Sequence, residues 1–112
     1  MGSQVYHLFS SIGVPIKVHG HRYLLNAVDI LMKDDDAAFA ITKQVYMRIA
    51  DQYGISLKQV ENAMRIAIEH AWKCGRCDRH ELIFGYSRLT GKRPSNSEFL
   101  LRIIEYLRSP DE

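Results

Sequence analysis

The stretch that most constrains the fold is residues 46–65, YMRIADQYGISLKQVENAMR, which predicts two helices joined by a sharp turn. Ile49, Ala50 and Tyr53 recur at helical spacing, and Gly54 follows where a left-handed residue would end a helix. Glycine avoids the roughly 1–2 kcal/mol that a side chain costs in that conformation. The first helix is therefore expected to stop at this glycine, and the chain to turn.

A second helix is expected to begin directly after the turn. Ser56 and Gln59 form an S-x-x-Q capping box, Ile55 can fill the corner, and Val60 and Ala63 return to the inner face. A small residue, a turn glycine and a corner residue in this order are typical of a helix-turn-helix. The alternative is an ordinary two-helix hairpin with a solvated outer face.

In a helix-turn-helix unit the second helix lies in the major groove of DNA. Its outward residues are then the candidates for contacts with base edges, and all five are polar: Lys58, Gln59, Glu61, Asn62 and Arg65. Neighbouring polar and basic residues are candidates for phosphate contacts: Thr42, Lys43, Ser56, Lys92 and Arg93. Lys92 and Arg93 belong to a basic loop over residues 87–95. The alternative for this loop is that its charged side chains are only exposed to solvent and bind no phosphate.

The chain has 112 residues, of which 46% are hydrophobic and 25% charged, and this composition predicts one domain over residues 1–112. No apolar run approaches the ~20 residues of a membrane span, and no secretion signal opens the chain. With only two cysteines, a cytoplasmic protein without a membrane partner is expected. Residues 1–4 are expected to be disordered or the remnant of a tag.

The formal net charge is only +2, but its distribution is uneven. Residues 42–76 carry six basic and three acidic side chains, whereas residues 77–112 carry six of each. The positive excess therefore lies on the predicted helix-turn-helix. Because the excess is small, DNA affinity would have to come from geometry and dimerisation rather than from a broad basic surface.

Apolar residues at helical spacing predict an all-α fold, a compact bundle of about six helices whose third and fourth helices form the helix-turn-helix. The predicted elements are a helix ending before Gly13, helices over residues 21–33, 37–53 and 57–73, a short helical turn at 82–84, and a last helix over 97–108. Residues 14–18 alternate in polarity and predict an extended connector with its apolar side on the core.

A possible metal site needs separate consideration, because His70, Cys74, Cys77 and His80 are all residue types that bind zinc. Structural zinc sites usually join two ligand pairs across a longer loop, so two free thiols at a helix end are the preferred interpretation. We therefore predict no metal and no cofactor. The sequence also lacks a nucleophile set, a phosphate-binding glycine loop and paired carboxylates, so we predict that it is not an enzyme.

Short segments spread over residues 8–108 carry a family pattern. They are Ile12-Gly13-Val14-Pro15, Gly20, Tyr23-Leu24, Ile41-Thr42-Lys43, Val60-Glu61, Ala63, Arg65, Ala67-Ile68-Glu69, Ala71-Trp72, Phe84-Gly85-Tyr86 and Pro94-x-Asn96-Ser97-Glu98-Phe99. In these segments, and in their order, the sequence resembles the C-terminal DNA-binding effector domains of stage-zero sporulation protein A, the response regulator that starts sporulation in endospore-forming bacteria.

The resemblance implies an all-helical transcription regulator that binds double-stranded DNA. It also implies a homodimer on tandem sites through the last helix, and RNA polymerase is a further expected partner. Lys43, Glu61 and Arg65 keep the residues of the family, whereas Gln59 and Asn62 stand where the family carries arginines. This departure leaves one alternative open, a helical protein-interaction module of the same fold with weak or lost DNA binding.

Overall fold

The computed structural model describes residues 2–108, with side chains from Gln4 onward, and in this range every regular element is helical. The all-α prediction is confirmed. Six α-helices account for most of the described residues: α1 (Gly2–Ile12), α2 (His19–Lys33), α3 (Met47–Tyr53), α4 (Leu57–Cys74), α5 (Cys77–Phe84) and α6 (Asn96–Arg108).

The core forms around α4, which packs against α2, α3 and α6. Three phenylalanines from different helices meet there, since Phe9 and Phe84 both contact Phe99, at 5.9 and 5.4 Å between ring centroids. The radius of gyration of 13.1 Å agrees with the ~13 Å of a single folded domain of this length. One core therefore holds α4 in place from three sides.

The prediction of one continuous helix over residues 37–53 is wrong. A 3-10 helix occupies Asp35–Ala40, a π-helical segment follows at Thr42–Tyr46, and the α-helix begins only at Met47. Changing the number of residues per turn rotates the side chains around the axis. Val45 in the π-helical segment is buried, whereas Phe39 in the 3-10 helix is 89% exposed.

The N-terminal region also departs from the sequence-based prediction. α1 begins at Gly2, residue 1 lies outside the described range, and the assignment of residues 1–4 to a disordered segment or a tag remnant stays a prediction. Residues 14–18 do not form one extended connector: the Val14 amide donates back to the Phe9 carbonyl at 2.9 Å, residues 16 and 17 form a turn, and residue 18 is a bend. Ile16 consequently points away from the core and is 57% exposed.

Candidate nucleic-acid interface

The predicted sharp turn lies between α3 and α4. Gly54 ends α3 in the left-handed conformation, at φ 66° and ψ 36°. Its amide donates to the Asp51 carbonyl at 3.4 Å, and the Ile55 amide donates to the Ala50 carbonyl at 3.0 Å. This pair of hydrogen bonds is a Schellman motif, which satisfies the last carbonyls of α3. Only two residues, Ile55 and Ser56, then separate Gly54 from the start of α4 at Leu57.

The start of α4 is held by the predicted capping box. The Gln59 amide donates to Ser56 Oγ at 3.1 Å, and the Ser56 amide donates to Gln59 Oε1 at 2.9 Å. Both donors would otherwise lack partners at a helix start. The cap therefore engages the acceptor oxygen of Gln59 and the backbone N–H of Ser56, and leaves the Ser56 hydroxyl hydrogen and the Gln59 NH₂ group available.

The outer face of α4 is polar and open, as predicted. Lys58, Gln59, Asn62 and Arg65 are exposed, and Glu61 is half-buried at the edge of the face. Arg65 Nη2 donates to Asn62 Oδ1 at 3.2 Å, one turn earlier on the helix. This contact holds the guanidinium along the helix surface and leaves most of its five N–H donors available.

The predicted phosphate-binding residues occupy two places. Thr42 and Lys43 are exposed on the π-helical segment, which packs against α3 and α4. The basic loop lies against the C-terminal half of α4, because Trp72 Nε1 donates to the Lys92 carbonyl. In that loop Arg93 Nη1 lies 3.2 Å from Glu69 Oε2. The structure therefore brings Lys92 and Arg93 to the same helix as the candidate base-contacting residues.

Two features of this surface escaped the sequence reasoning. Ile66 is 43% exposed and lies four residues after Asn62, on the outer face of α4. A search restricted to polar residues misses Ile66, although its helical spacing from Asn62 can be read from the sequence. The second feature is Asn96 at the start of α6, whose Nδ2 donates to the Glu61 carbonyl at 3.0 Å. No local signal predicts that contact, because it joins distant parts of the chain.

The four candidate zinc ligands do not form a site. His80 is fully buried, stacks on Trp72 at 4.1 Å between ring centroids, and has its Nε2 2.8 Å from the Ile12 carbonyl oxygen. Over residues 2–108, no group of three or more His, Cys, Asp or Glu residues could hold a metal ion. Cys74 and Cys77 are free thiols, separated by the two extended residues Gly75 and Arg76.

None of the helices in the described part of the chain is both long and apolar enough to cross a membrane.

Comparison with known families identifies the domain. The family model described as "Sporulation initiation factor Spo0A C terminal" matches residues 5–107, and so covers α1 through the last turn of α6. The match includes the turn at Gly54, all of α4 and the basic loop. This is a family of DNA-binding regulator domains rather than a family of enzymes. The chain therefore belongs to the family of C-terminal DNA-binding effector domains of the sporulation initiation factor Spo0A.

Proposed function

We propose that the domain binds specific DNA sequences by placing the outer face of α4 in the major groove, with α3 and α4 acting as a helix-turn-helix. The observation that carries this proposal is the capped start of α4 directly after a left-handed glycine, with a polar face open to solvent. Recognition helices contact base edges through the residues of their first turns. Residues 58–66 occupy those turns.

Arg65 is the principal base-contacting residue in this proposal. An arginine pairs bidentately with guanine, which is worth about 1–3 kcal/mol of discrimination against another base. Its contact with Asn62 Oδ1 limits the side-chain motion that binding would have to arrest. Asn62 then acts as a support for Arg65 and offers its NH₂ group to a neighbouring base.

Gln59 has a second role besides DNA contact. Glutamine recognises adenine through both its oxygen and its nitrogen, but in this domain Gln59 Oε1 accepts the Ser56 amide. Adenine recognition would therefore have to use the second lone pair of Oε1 in the orientation that the cap imposes. We infer that Gln59 keeps the cap and contributes only its NH₂ group to DNA, while Lys58 and Glu61 contact groups at the edges of the groove.

Phosphate contacts would then come from both sides of the turn. Thr42, Lys43 and the Ser56 hydroxyl lie on exposed surface before α4, and Lys92 and Arg93 lie beside its C-terminal half. Such contacts set the orientation of the domain without reading sequence. Arg93 would exchange its partner Glu69 for a phosphate, so its net contribution is smaller than that of a free arginine.

A second copy of this chain is the proposed occupant of the groove along α6. This groove of about 630 Å³ is lined partly by Leu101, which is 41% exposed, and by both charge signs, Arg102, Arg108 and Glu105. Across a two-fold axis, an arginine of one copy can pair with a glutamate of the other copy. A homodimer on tandem sites would supply the affinity that the small net charge does not. Contact with RNA polymerase stays a prediction.

A protein-interaction module with weak DNA binding is the second candidate function. It is favoured by the two acceptors on the outer face that already have partners inside the domain, Gln59 Oε1 and Asn62 Oδ1. Each of these oxygens keeps only one lone pair with which to accept a hydrogen bond from a base. An exposed helix face with few free acceptors suits a protein partner as well as DNA.

Selection of duplexes from a random pool, followed by fluorescence anisotropy, tests the proposal. We expect enrichment of a defined sequence, and Arg65→Ala should weaken binding to it by about 1–3 kcal/mol. Lys43→Ala is the matched control, because loss of a phosphate contact weakens all sequences alike and lowers the salt dependence by about one charge. Absence of enrichment at low salt would overturn the proposal in favour of the interaction module.

A further inference from the structure

A basic cleft opens where the turns after α1 meet the start of α2. Its volume is about 380 Å³, and its lining includes Lys17, His19, His21, Arg22 and Asn26. Two of these side chains carry a positive charge, and none of the described residues that line the cleft is a carboxylate. A cleft with this lining favours an anion.

The start of α2 adds a second reason to expect an anion. A helix leaves its first amide groups without intrahelical acceptors, and Val18 at the N-cap has no side-chain oxygen to offer them. The first turn of α2 contains no acidic residue. His21 lines the cleft at only 5% exposure, and within residues 4–108 its Nε2 has no hydrogen-bond partner. A buried donor or acceptor without a partner is unusual in a folded protein.

The cleft also adjoins the end of α3, directly before the turn that leads into the proposed DNA-contacting helix. Asn26 donates to the Tyr53 hydroxyl, and the Arg22 guanidinium lies 5.7 Å from the centre of the Tyr53 ring. A Cβ atom on Gly20 would come within 2.0 Å of the Ala63 carbonyl oxygen, so the start of α2 is pressed against the middle of α4. Residues three and four apart share one side of a helix, which places Gln59 and Ile66 on the flank of Ala63. The contact between Asn96 and the Glu61 carbonyl lies on the opposite flank.

We propose that this cleft binds a backbone phosphate of the DNA beside the turn between α3 and α4. Lys17 and Arg22 supply the charge, and the amides of His19 and Gly20 at the start of α2 supply directed hydrogen bonds, since the His21 amide already donates to the Val18 carbonyl at 3.1 Å. The site would be the counterpart of Lys92 and Arg93 at the other end of the recognition helix. The inference rests on the proposed DNA-binding function and adds a phosphate site beside the turn before α4.

The test compares variants on the duplex selected for the unmodified domain. Lys17→Ala and Arg22→Ala should each weaken binding about three- to tenfold at 0.1 M salt and lower the slope of log K against log salt by about one. Lys33→Ala is the matched control: it removes the same charge at the other end of α2, where Lys33 Nζ lies 3.1 Å from Asp29. This control should leave both quantities unchanged.

The outcomes separate the two claims. If the unmodified domain selects no duplex, the proposed function fails and this site fails with it. If it selects a duplex but Lys17→Ala and Arg22→Ala bind like Lys33→Ala, only the phosphate site is overturned. A second experiment tests whether the cleft binds free phosphate instead of DNA. Inorganic phosphate is added at constant ionic strength, and the His21 ring resonances are followed by NMR. Saturation by phosphate, with DNA binding unaffected by the cleft variants, would assign the cleft to a free anion instead.

Discussion

The two ends of α4 are held by different kinds of interaction. The N-terminal end is exposed and held by neighbours in sequence, namely the left-handed Gly54 and the reciprocal bonds of Ser56 and Gln59. The C-terminal end is buried and held by distant residues, because Trp72 stacks on His80 and Arg88 Nη1 donates to the Gly75 carbonyl at 3.0 Å. The end proposed to meet DNA thus depends on local geometry, and the other end ties the helix to the core.

This difference predicts where substitutions will unfold the domain. Trp72→Ala removes a buried aromatic side chain that contacts His80, Phe84 and Tyr86, so it should cost about 3–5 kcal/mol in the free energy of unfolding. Denaturant unfolding followed by circular dichroism measures the loss. Leu82→Ala, at a side chain that is 47% exposed, is the control and should change stability by no more than about 0.5 kcal/mol. Equal losses in the two variants would contradict the proposed role of the C-terminal end.

The C-terminal end should also make stability depend on pH. Burial lowers the pKa of His80, and of His21 near the start of α2, below the ordinary value of 6.5. Below about pH 6.5 the unfolded chain binds protons that the folded domain does not, so stability falls by at most about 1.4 kcal/mol per pH unit for each histidine. Chemical denaturation at pH 7.5, 6.5 and 5.5 measures this slope. His80→Gln should flatten it, and a slope unchanged by that substitution would exclude His80 as a source.

The N-terminal end should respond more weakly to substitution. Ser56→Ala removes the oxygen that accepts the Gln59 amide and should cost about 1 kcal/mol of stability. The reciprocal bond from the backbone amide of residue 56 to Gln59 Oε1 does not involve the serine side chain and is kept in this variant. We therefore expect a less stable domain that selects the same sequence but binds it more weakly, because the proposed phosphate contact of the Ser56 hydroxyl is lost; unfolding and repeated duplex selection measure both effects. Ser95→Ala, which removes the Oγ that accepts the Glu98 amide in the first turn of α6, is the control and should leave the DNA affinity unchanged.

The smallest expected effect lies on the outer face between the two ends. Ile66 is placed to contact a thymine methyl group, and burial of one such group is worth about 0.8 kcal/mol, roughly a fourfold change in affinity. Replacing single thymines by uracil in the selected duplex should reproduce this loss at one position. The Ile66→Ala variant should no longer distinguish thymine from uracil at that position. If no position in the duplex shows this coupling, Ile66 does not face a base.

The sequence predicted the N-terminal end of α4, which local interactions hold. The left-handed Gly54, the capping box of Ser56 and Gln59, and the polar outer face of α4 were all expected and are present. Each depends on residues within five positions of one another, so the interacting groups are fixed as soon as the helix forms. The prediction of one helix over residues 37–53 is wrong, since three helical segments of different type lie there, and each packs against α2, a distant part of the chain.

Only the tertiary structure decided which residues lie around α4. Trp72 meets the Lys92 carbonyl across 20 residues of chain, and His80 meets the Ile12 carbonyl across 68. The same packing presses Gly20 against Ala63 of α4 and brings Arg22 over the ring of Tyr53, beside the turn before α4. The periodicity of the sequence does not predict these long-range contacts, because they depend on how separate helices pack in one core. By itself, the sequence determined the start and the outer face of the proposed recognition helix, and the tertiary structure decided which distant residues flank it.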